Sequence, residues 1–333
     1  MNNIIPDFSI IVPLFNRGEY AETLVRSLQQ QSETNWEVLL VDDGSSNESL
    51  AVWNTYTEKD SRFRFIKRNR NPKGAPTCRN IGVLNSSGKY IIFLDSDDAL
   101  SFPCSLHERR TALEKNPNLD YIISPTKVFY KLPNDSNAFH NVETEEDDLD
   151  RLLGFDIVWQ TTSATWCRES IDKIGKWKEG LPSCQDWDYH IRALVLGLKY
   201  RRITGGLSFW RISTNSITNQ MREKKHLQSL ELLLPKIYLL LKQHDQLTPK
   251  RKQILARNYA YLAANYYRAQ NLIRAEKSLH KWQKIKKSSH LKAKIMMLHV
   301  RSYHIPIVGL LLRPLFSIVF GNESIIPRGR RFN

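Results

Sequence analysis

The chain has 333 residues, room for one large domain or two ordinary ones, and its 41% hydrophobic and 25% charged residues are those of an ordinary globular protein. Its net charge of +15 is unevenly spread: residues 1–220 hold 26 Lys+Arg against 29 Asp+Glu, whereas residues 221–333 hold 23 against 5. A near-neutral body with a basic tail points to two jobs, the tail facing a polyanion such as a membrane surface or nucleic acid.

Taken in chain order, Phe8-Ser-Ile-Ile-Val12 is a β-branched run that fits a central parallel strand. It reads as a strand and not as a secretory signal, because Phe8 to Phe15 is short, broken by Pro13 and lacks a basic flank. Residues 19–31 place Tyr20, Leu24 and Leu28 on one helical face. Trp36 to Val41 is a second strand, running into the polar turn Asp42-Asp-Gly-Ser-Ser46, which can cap the next helix. Phe63 to Lys67 is a third strand, Pro76 to Ser86 a helix, and Tyr90 to Leu94 a fourth strand ending at Asp95-Ser-Asp-Asp98. This alternation predicts an α/β fold, an open and mostly parallel sheet with helices on both faces, whose ligands bind at the carboxyl ends of the strands. The two acidic clusters lie at those ends.

Residues 131–150 are polar and acidic and read as an exposed loop. Residues 184–196 return to helix, and 199–211 read as two short strands joined at Gly205-Gly206. Beyond residue 220 strand signals vanish. Helices are expected near 223–244, 250–269, 272–287 and 290–302, giving an all-helical basic C-terminal region (221–333) after a domain spanning 1–220. One helical pair, around Tyr259, Ala263, Tyr267, Ala275 and Leu279, has a tetratricopeptide-like pattern, but a single copy makes no repeat. The apolar segment 305–320 is too short, and too broken by Arg313 and Pro314, to span a bilayer. Cys78, Cys104, Cys167 and Cys184 lack the close pairing of zinc sites and read as free thiols of a reducing compartment.

Four clusters can carry chemistry. Asp42 and Asp43 can accept hydrogen bonds from a ribose hydroxyl or a base N–H, or simply cap a helix. Asp95, Asp97 and Asp98 put three carboxylates within four residues; their repulsion is relieved either by solvent on an open turn or by a divalent cation, Mn²⁺ or Mg²⁺, whose shell substrate phosphates complete. Arg79, on the intervening helix, is a surface arginine or a partner for phosphate or acid. In Gln185-Asp-Trp-Asp188, Asp186 either caps its helix or acts as a general base, and Trp187 is an apolar wall or core.

Together Phe8-Ser-Ile-Ile-Val-Pro-Leu-Phe-Asn16, Val41-Asp-Asp-Gly-Ser45, Arg79-Asn-Ile-Gly82, Phe93-Leu-Asp-Ser-Asp-Asp98 and Gln185-Asp-Trp-Asp188 resemble, in order and spacing, the family-2 glycosyltransferases, over roughly residues 6–220. The resemblance implies a GT-A nucleotide-diphospho-sugar transferase fold and inverting transfer of a sugar from a nucleotide-diphosphate donor, UDP-linked, to a glycan or lipid-linked acceptor. It implies that Pro13 and Phe15 meet the nucleotide base, that Asp43 or Asp42 reads uracil, and that Asp95 lies near the ribose. Asp97 then lies at the metal, with the split between Asp97 and Asp98 open, and Asp186 is the catalytic base.

Two positions depart from the pattern: Gln185 stands where Glu is frequent, and Ser213 stands where many members have a metal-binding histidine. The rival reading is a catalytically degenerate nucleotide-binding protein whose basic tail holds nucleic acid; the full set of carboxylates argues against it. A sugar nucleotidyltransferase is a poor match, because Pro13-Leu-Phe-Asn-Arg-Gly18 lacks the Gly-rich loop of that class. The tail either forms solvated helices with basic faces or, the preferred reading, seats a cytoplasmic enzyme peripherally on the inner face of an anionic membrane, with segment 305–320 either in the interface, against the catalytic domain or at a dimer contact.

Overall fold

The computed structural model describes residues 5–140, 143–212 and 219–286, together with 298, 300 and 301. The first half alternates as expected: β1 (Phe8–Leu14), α1 (Ala21–Gln29), β2 (Trp36–Asp42), α2 (Asn47–Thr57), β3 (Phe63–Lys67), α3 (Ala75–Asn85) and β4 (Tyr90–Phe93). Next come β5 (Ala99–Leu100), α4 (Ser105–Glu114), β6 (Tyr121–Ile123), β7 (Thr126–Phe129), β8 (Phe139–His140), α5 (Asp148–Leu153), β9 (Ala164–Cys167), α6 (Arg168–Ile174), α7 (Gln185–Val195), β10 (Tyr200–Arg202) and β11 (Ser208–Arg211). Three helices close the described chain: α8 (Asn219–Gln243), α9 (Pro249–Arg268) and α10 (Leu272–Lys286). Ser213, segment 305–320 and nearly all of the helix expected at 290–302 lie outside the described residues.

A seven-stranded sheet in the order β10-β6-β9-β4-β1-β2-β3 forms the centre, and a four-stranded sheet, β5-β11-β7-β8, stands beside it. β1 is parallel to both neighbours, with Leu14 opposite Asp42 on one side and Ile11 opposite Phe93 on the other. This register brings the ends of β2 and β4, and the acids that follow them, to either side of the end of β1. Side chains alternate along the strand. Phe8, Ile10, Val12 and Leu14 therefore enter the core under α1, α2 and α4, whereas Ile11 enters the opposite one, against Cys78 and Ile81 of α3. A one-residue slip would exchange the two faces, so the register is strongly set.

α3 approaches the sheet closely because it carries glycine at the contact: a Cβ on Gly82 would lie 2.3 Å from Ile11 Cγ2. The face that holds α3 also receives α7 and the C-terminal helices, since Leu230, Leu234 and Ile237 of α8 and Leu255 and Tyr259 of α9 share one continuous core with Leu152 and Trp187. α9 and α10 pair through Ala260, Ala263 and Tyr267 against Ala275 and Leu279, the hairpin expected from their spacing.

Two expectations are corrected. Segment 131–150 is not a plain exposed loop: it contains β8 and the start of α5. Its acids have basic partners, Asp148 with Arg202 at 2.7 Å and Asp150 with Arg251 at 2.8 Å and Lys250 at 2.8 Å. The strands at 199–211 exist, but β10 belongs to the large sheet and β11 to the small one, so they do not form a hairpin.

Gly82→Ala is expected to destabilise the protein by about 1–3 kcal/mol, the cost of overpacking a filled core. Urea unfolding followed by circular dichroism measures it; an unchanged midpoint would refute the close-approach argument.

Candidate active site

The sheet gathers the acids, and basic residues from separate parts of the chain pair with several of them. The Asp42 carboxylate turns back onto its own loop, accepting from the N–H groups of Gly44 at 3.1 Å and Ser45 at 2.9 Å. The cap of α2 is Ser46, which accepts from the Ser49 N–H. Asp43 is buried against Arg68 Nε at 2.5 Å and the Gly74 N–H at 3.0 Å, and Gly74, at φ 128°, makes the bend that aims this donor. The Cys78 thiol adds a weak third bond at 3.7 Å, and together these leave part of the carboxylate's accepting capacity in hand. Pro13 lies within β1 opposite Val41, and the half-exposed Phe15 ring follows the strand end.

At the end of β4, burial and then Asp95 beside it lift the Asp97 carboxyl above the usual range, while Arg17 and Arg211 act in the other direction. Asp98 is raised further, by burial first and then by Asp97 and Asp95. Arg211 clamps this turn. Its backbone N–H donates to Asp98 Oδ1 at 3.0 Å, its Nε to the Asp97 carbonyl at 2.9 Å, and its Nη1 to the carbonyls of Tyr130 and Lys131 at 3.1 and 2.7 Å. The guanidinium sits between the rings of Tyr20 and Phe129, 4.5 and 4.2 Å from their centroids.

Arg79 is not a surface residue: it is 3% exposed. Its Nη2 pairs with Asp95 Oδ1 at 2.6 Å, and its guanidinium lies 4.4 Å from the Trp177 ring centre. Asn80 binds the Trp177 backbone in both directions and reaches Glu179, which in turn pairs with Arg70. The loop before α7 is thereby tied to α3.

α7 brings the last acids. Asp188 is neutralised by Lys178 at 2.6 Å and Arg192 at 2.9 Å, and is structural. Asp186 makes no ion pair among the described residues; one oxygen accepts from the next N–H, that of Trp187, at 2.9 Å. Trp187 is core, stacked on Phe155 and donating from its indole to the Leu152 carbonyl. Buried one turn after Asp186, His190 lies against Trp159 and Trp166. Burial pushes its pKa down to about 4, with Asp186 acting against the shift and Arg79 adding to it. Asp186, Arg79 and Arg192 therefore all act on the His190 ring.

Asp42, Asp43, Arg79, Asp95, Asp97 and Asp98 accordingly collect around the carboxyl end of β1; Asp186, on α7, makes no hydrogen bond or ion pair with any of them among the described residues. Arg17, Arg68, Trp177, Glu179 and Arg211 are participants that the motifs alone do not single out. Arg17 directly follows the Phe8–Asn16 motif and Arg211 lies just before Ser213, but nothing local in the sequence ties either of them to the acids at the end of β4. Among the described residues no group of three or more His, Cys, Asp or Glu is positioned to hold a metal.

Residues 9–175 match the family described as Glycosyl transferase family 2. An uncharacterized glycosyltransferase of Haemophilus influenzae is 31% identical over 56% of this chain and 61% of its own length. The uncharacterized glycosyltransferase EpsJ of Bacillus subtilis is 26% identical over 65% of this chain and 64% of its own. The match thus spans less than two thirds of either relative. In structure, the chain is similar to S. aureus TarS 1-349 in complex with UDP-GlcNAc, with a TM-score of 0.66, 17% identity and 92% of both chains covered. It is also similar to the mannosyltransferase PcManGT of Pyrobaculum calidifontis in complex with GDP-Man and Mn²⁺, with a TM-score of 0.52, 12% identity, and 96% of this chain and 89% of that chain covered. These likenesses show the GT-A fold, followed by helices, that the sequence leads one to expect.

Because folded His190 resists the proton that the unfolded chain accepts near pH 6.5, its contribution to stability is full above pH 6.5 and is lost as pH falls toward 4, by ~1.4 kcal/mol per pH unit per proton. The raised carboxyls of Asp97 and Asp98 titrate in the opposite sense in both proteins, so a comparison with His190→Gln isolates the histidine. Urea midpoints at pH 6.5 and 4.5 are expected to fall more for the wild type than for the variant; equal falls would contradict the assignment.

Proposed function

This chain belongs to Glycosyl transferase family 2, and from that premise we propose that it moves a sugar, with inversion, from a UDP-linked donor to a hydroxyl of a glycan or lipid-linked acceptor, with Asp186 as general base. One observation carries the reading. Of the acids in Gln185–Asp188, Asp188 is neutralised twice over, whereas Asp186 has no cationic partner among the described residues and uses one oxygen only on the neighbouring Trp187 N–H. A carboxylate without a cationic partner keeps lone pairs in hand for a substrate hydroxyl.

In this reading Phe15, with Pro13, gives the nucleotide base an apolar surface. Asp43, or Asp42, accepts from the base with the capacity its loop bonds leave. Asp95, held by Arg79, lies near the ribose and sugar. Arg79 Nε and Nη1 are buried without a hydrogen-bond partner among the described residues, a deficit that a donor oxygen brought against them would satisfy. The acceptor hydroxyl gives its proton to Asp186 as it attacks the anomeric carbon from the side opposite the diphosphate, and a single displacement inverts that centre. Interactions that strengthen as the diphosphate gains charge raise the rate; those already complete in the ground state do not.

The acidic turn fits a divalent cation. Its oxygens are hard donors, its carboxyls are lifted by burial and then by their acidic neighbours, and Asp98 already spends one oxygen on the Arg211 N–H, which makes Asp97 the foremost ligand with Asp98 as its companion. Mn²⁺ or Mg²⁺ there would supply positive charge for the leaving diphosphate. The nucleotide sugars held by TarS and PcManGT, and the Mn²⁺ of the latter, support the donor class and the cation.

The division near residue 220 belongs to the same proposal: a catalytic unit, then basic helices that bring a cytoplasmic enzyme to the inner face of an anionic membrane. No helix among the described residues is long and apolar enough to cross a membrane.

A thermal-shift panel of UDP-, GDP- and dTDP-sugars with Mn²⁺ is expected to select a UDP-sugar; stabilisation by another nucleotide alone would overturn that choice. Asp186→Asn is expected to bind the selected donor unchanged and to lose ~10²- to 10⁴-fold in kcat; wild-type turnover would remove Asp186 as base. EDTA is expected to abolish transfer and added Mn²⁺ to restore it, while full activity in chelator would exclude the cation.

A further inference from the structure

The turn that presents Asp186 is held from outside its own element. Cys184, immediately before α7, has φ 59° and ψ 26°, the left-handed region that non-glycine residues avoid, and no side chain caps the helix there. Phe155, at φ 62°, is a second such residue; it stacks on Trp187 at 5.0 Å and meets the His226 ring edge-on at 5.5 Å. Strain of this kind persists only where the surroundings over-determine it, and it concentrates at functional sites.

The restraints on the turn come from α8. The Ser183 N–H donates to Ser229 Oγ at 2.9 Å, the Ser183 hydroxyl donates to the same oxygen at 3.3 Å, and Cys184 Sγ lies 3.1 Å from His226 Nδ1. Ser229 is fully buried, so water cannot replace it in these bonds. Neutral hydrogen bonds of this number are comparable in strength to the strain of one left-handed residue. Without them the turn would relax and the first residues of α7, Asp186 among them, would swing with it.

We propose that His226 and Ser229 are positioning residues: α8 holds the Ser183–Cys184 turn in its strained form and so aims Asp186 at the reacting hydroxyl. The catalytic unit therefore depends on the first C-terminal helix for its base as well as for its core. This inference rests on the reading of Asp186 as general base. It assigns the alignment of the base, and not donor binding, to α8, because Asp43, Arg79 and Asp97 are anchored by other elements.

Steady-state kinetics with the selected nucleotide sugar test it. Ser229→Ala, and Ser229→Ala combined with His226→Phe, are expected to lower kcat by ~10-fold or more, since small misplacements of a catalytic group cost ~10²-fold. Donor KM should stay within about twofold, and the melting temperature should remain well above the assay temperature. Cys184→Gly, which removes the left-handed penalty, is expected to restore most of the lost kcat in the Ser229→Ala background. The proposal is overturned if the double variant keeps kcat within about twofold of wild type, or if kcat and donor affinity fall together and Cys184→Gly recovers neither. Turnover by Asp186→Asn would overturn the base assignment and this proposal with it. An inactive Asp186→Asn beside a fully active double variant would overturn this proposal alone.

Discussion

Repulsion among Asp95, Asp97 and Asp98 is the constraint around which the site is organised. Parallel strands deliver their loops to one rim, so acids that follow β2 and β4 are brought close whatever their mutual charge. Two like charges 4 Å apart at a protein surface repel by about 4 kcal/mol, a sizeable fraction of the ~5–15 kcal/mol that holds a domain folded. The protein answers with arginines. Arg79 takes Asp95, Arg211 clamps the backbone and side chain of Asp97 and Asp98, and Arg17 adds its field at Asp97. What remains uncompensated, the raised carboxyls of Asp97 and Asp98, is the feature that a cation would satisfy.

Arg79 and Arg211 are in turn fixed by aromatic rings, and Arg211 by main-chain carbonyls as well. Arg79 lies on Trp177, which stacks on Tyr189 of α7 with ring centres 4.1 Å apart. Arg211 is pressed between Tyr20 and Phe129. Planar guanidinium groups accept this stacking while keeping their N–H donors in fixed directions, which lysine does not. The same contacts join α3, α7 and the small sheet to the end of β4, so the position of the acids and the packing of the core are settled together.

The basic C-terminal region participates in this arrangement. Arg251 and Lys250 of α9 neutralise the acids of α5, and α8 and α9 complete the core beneath α7. Part of the excess positive charge is therefore matched inside the molecule. That is also why 131–150 reads as a loop in isolation: its acidic residues look solvated until their partners, some fifty to a hundred positions later, are folded against them.

By itself the sequence determined what depends on local pattern. The β-branched runs of β1, β2 and β4 are buried on both faces and cannot be read otherwise. The acids after β2 and β4 had to share a rim once the strands were parallel, and the spacing of Tyr259, Ala263, Ala275 and Leu279 announced the α9–α10 hairpin. Only the tertiary structure decided which of two equivalent aspartates in Gln185–Asp188 is neutralised, because Lys178 and Arg192 reach Asp188 and not Asp186. It alone placed Arg79 in the interior, separated β10 from β11, and gave Arg211 its hold on a turn 113 positions earlier. Periodicity and strand-end rules act along the chain, whereas the charge state and direction of a side chain follow from groups that only folding brings within a few ångströms.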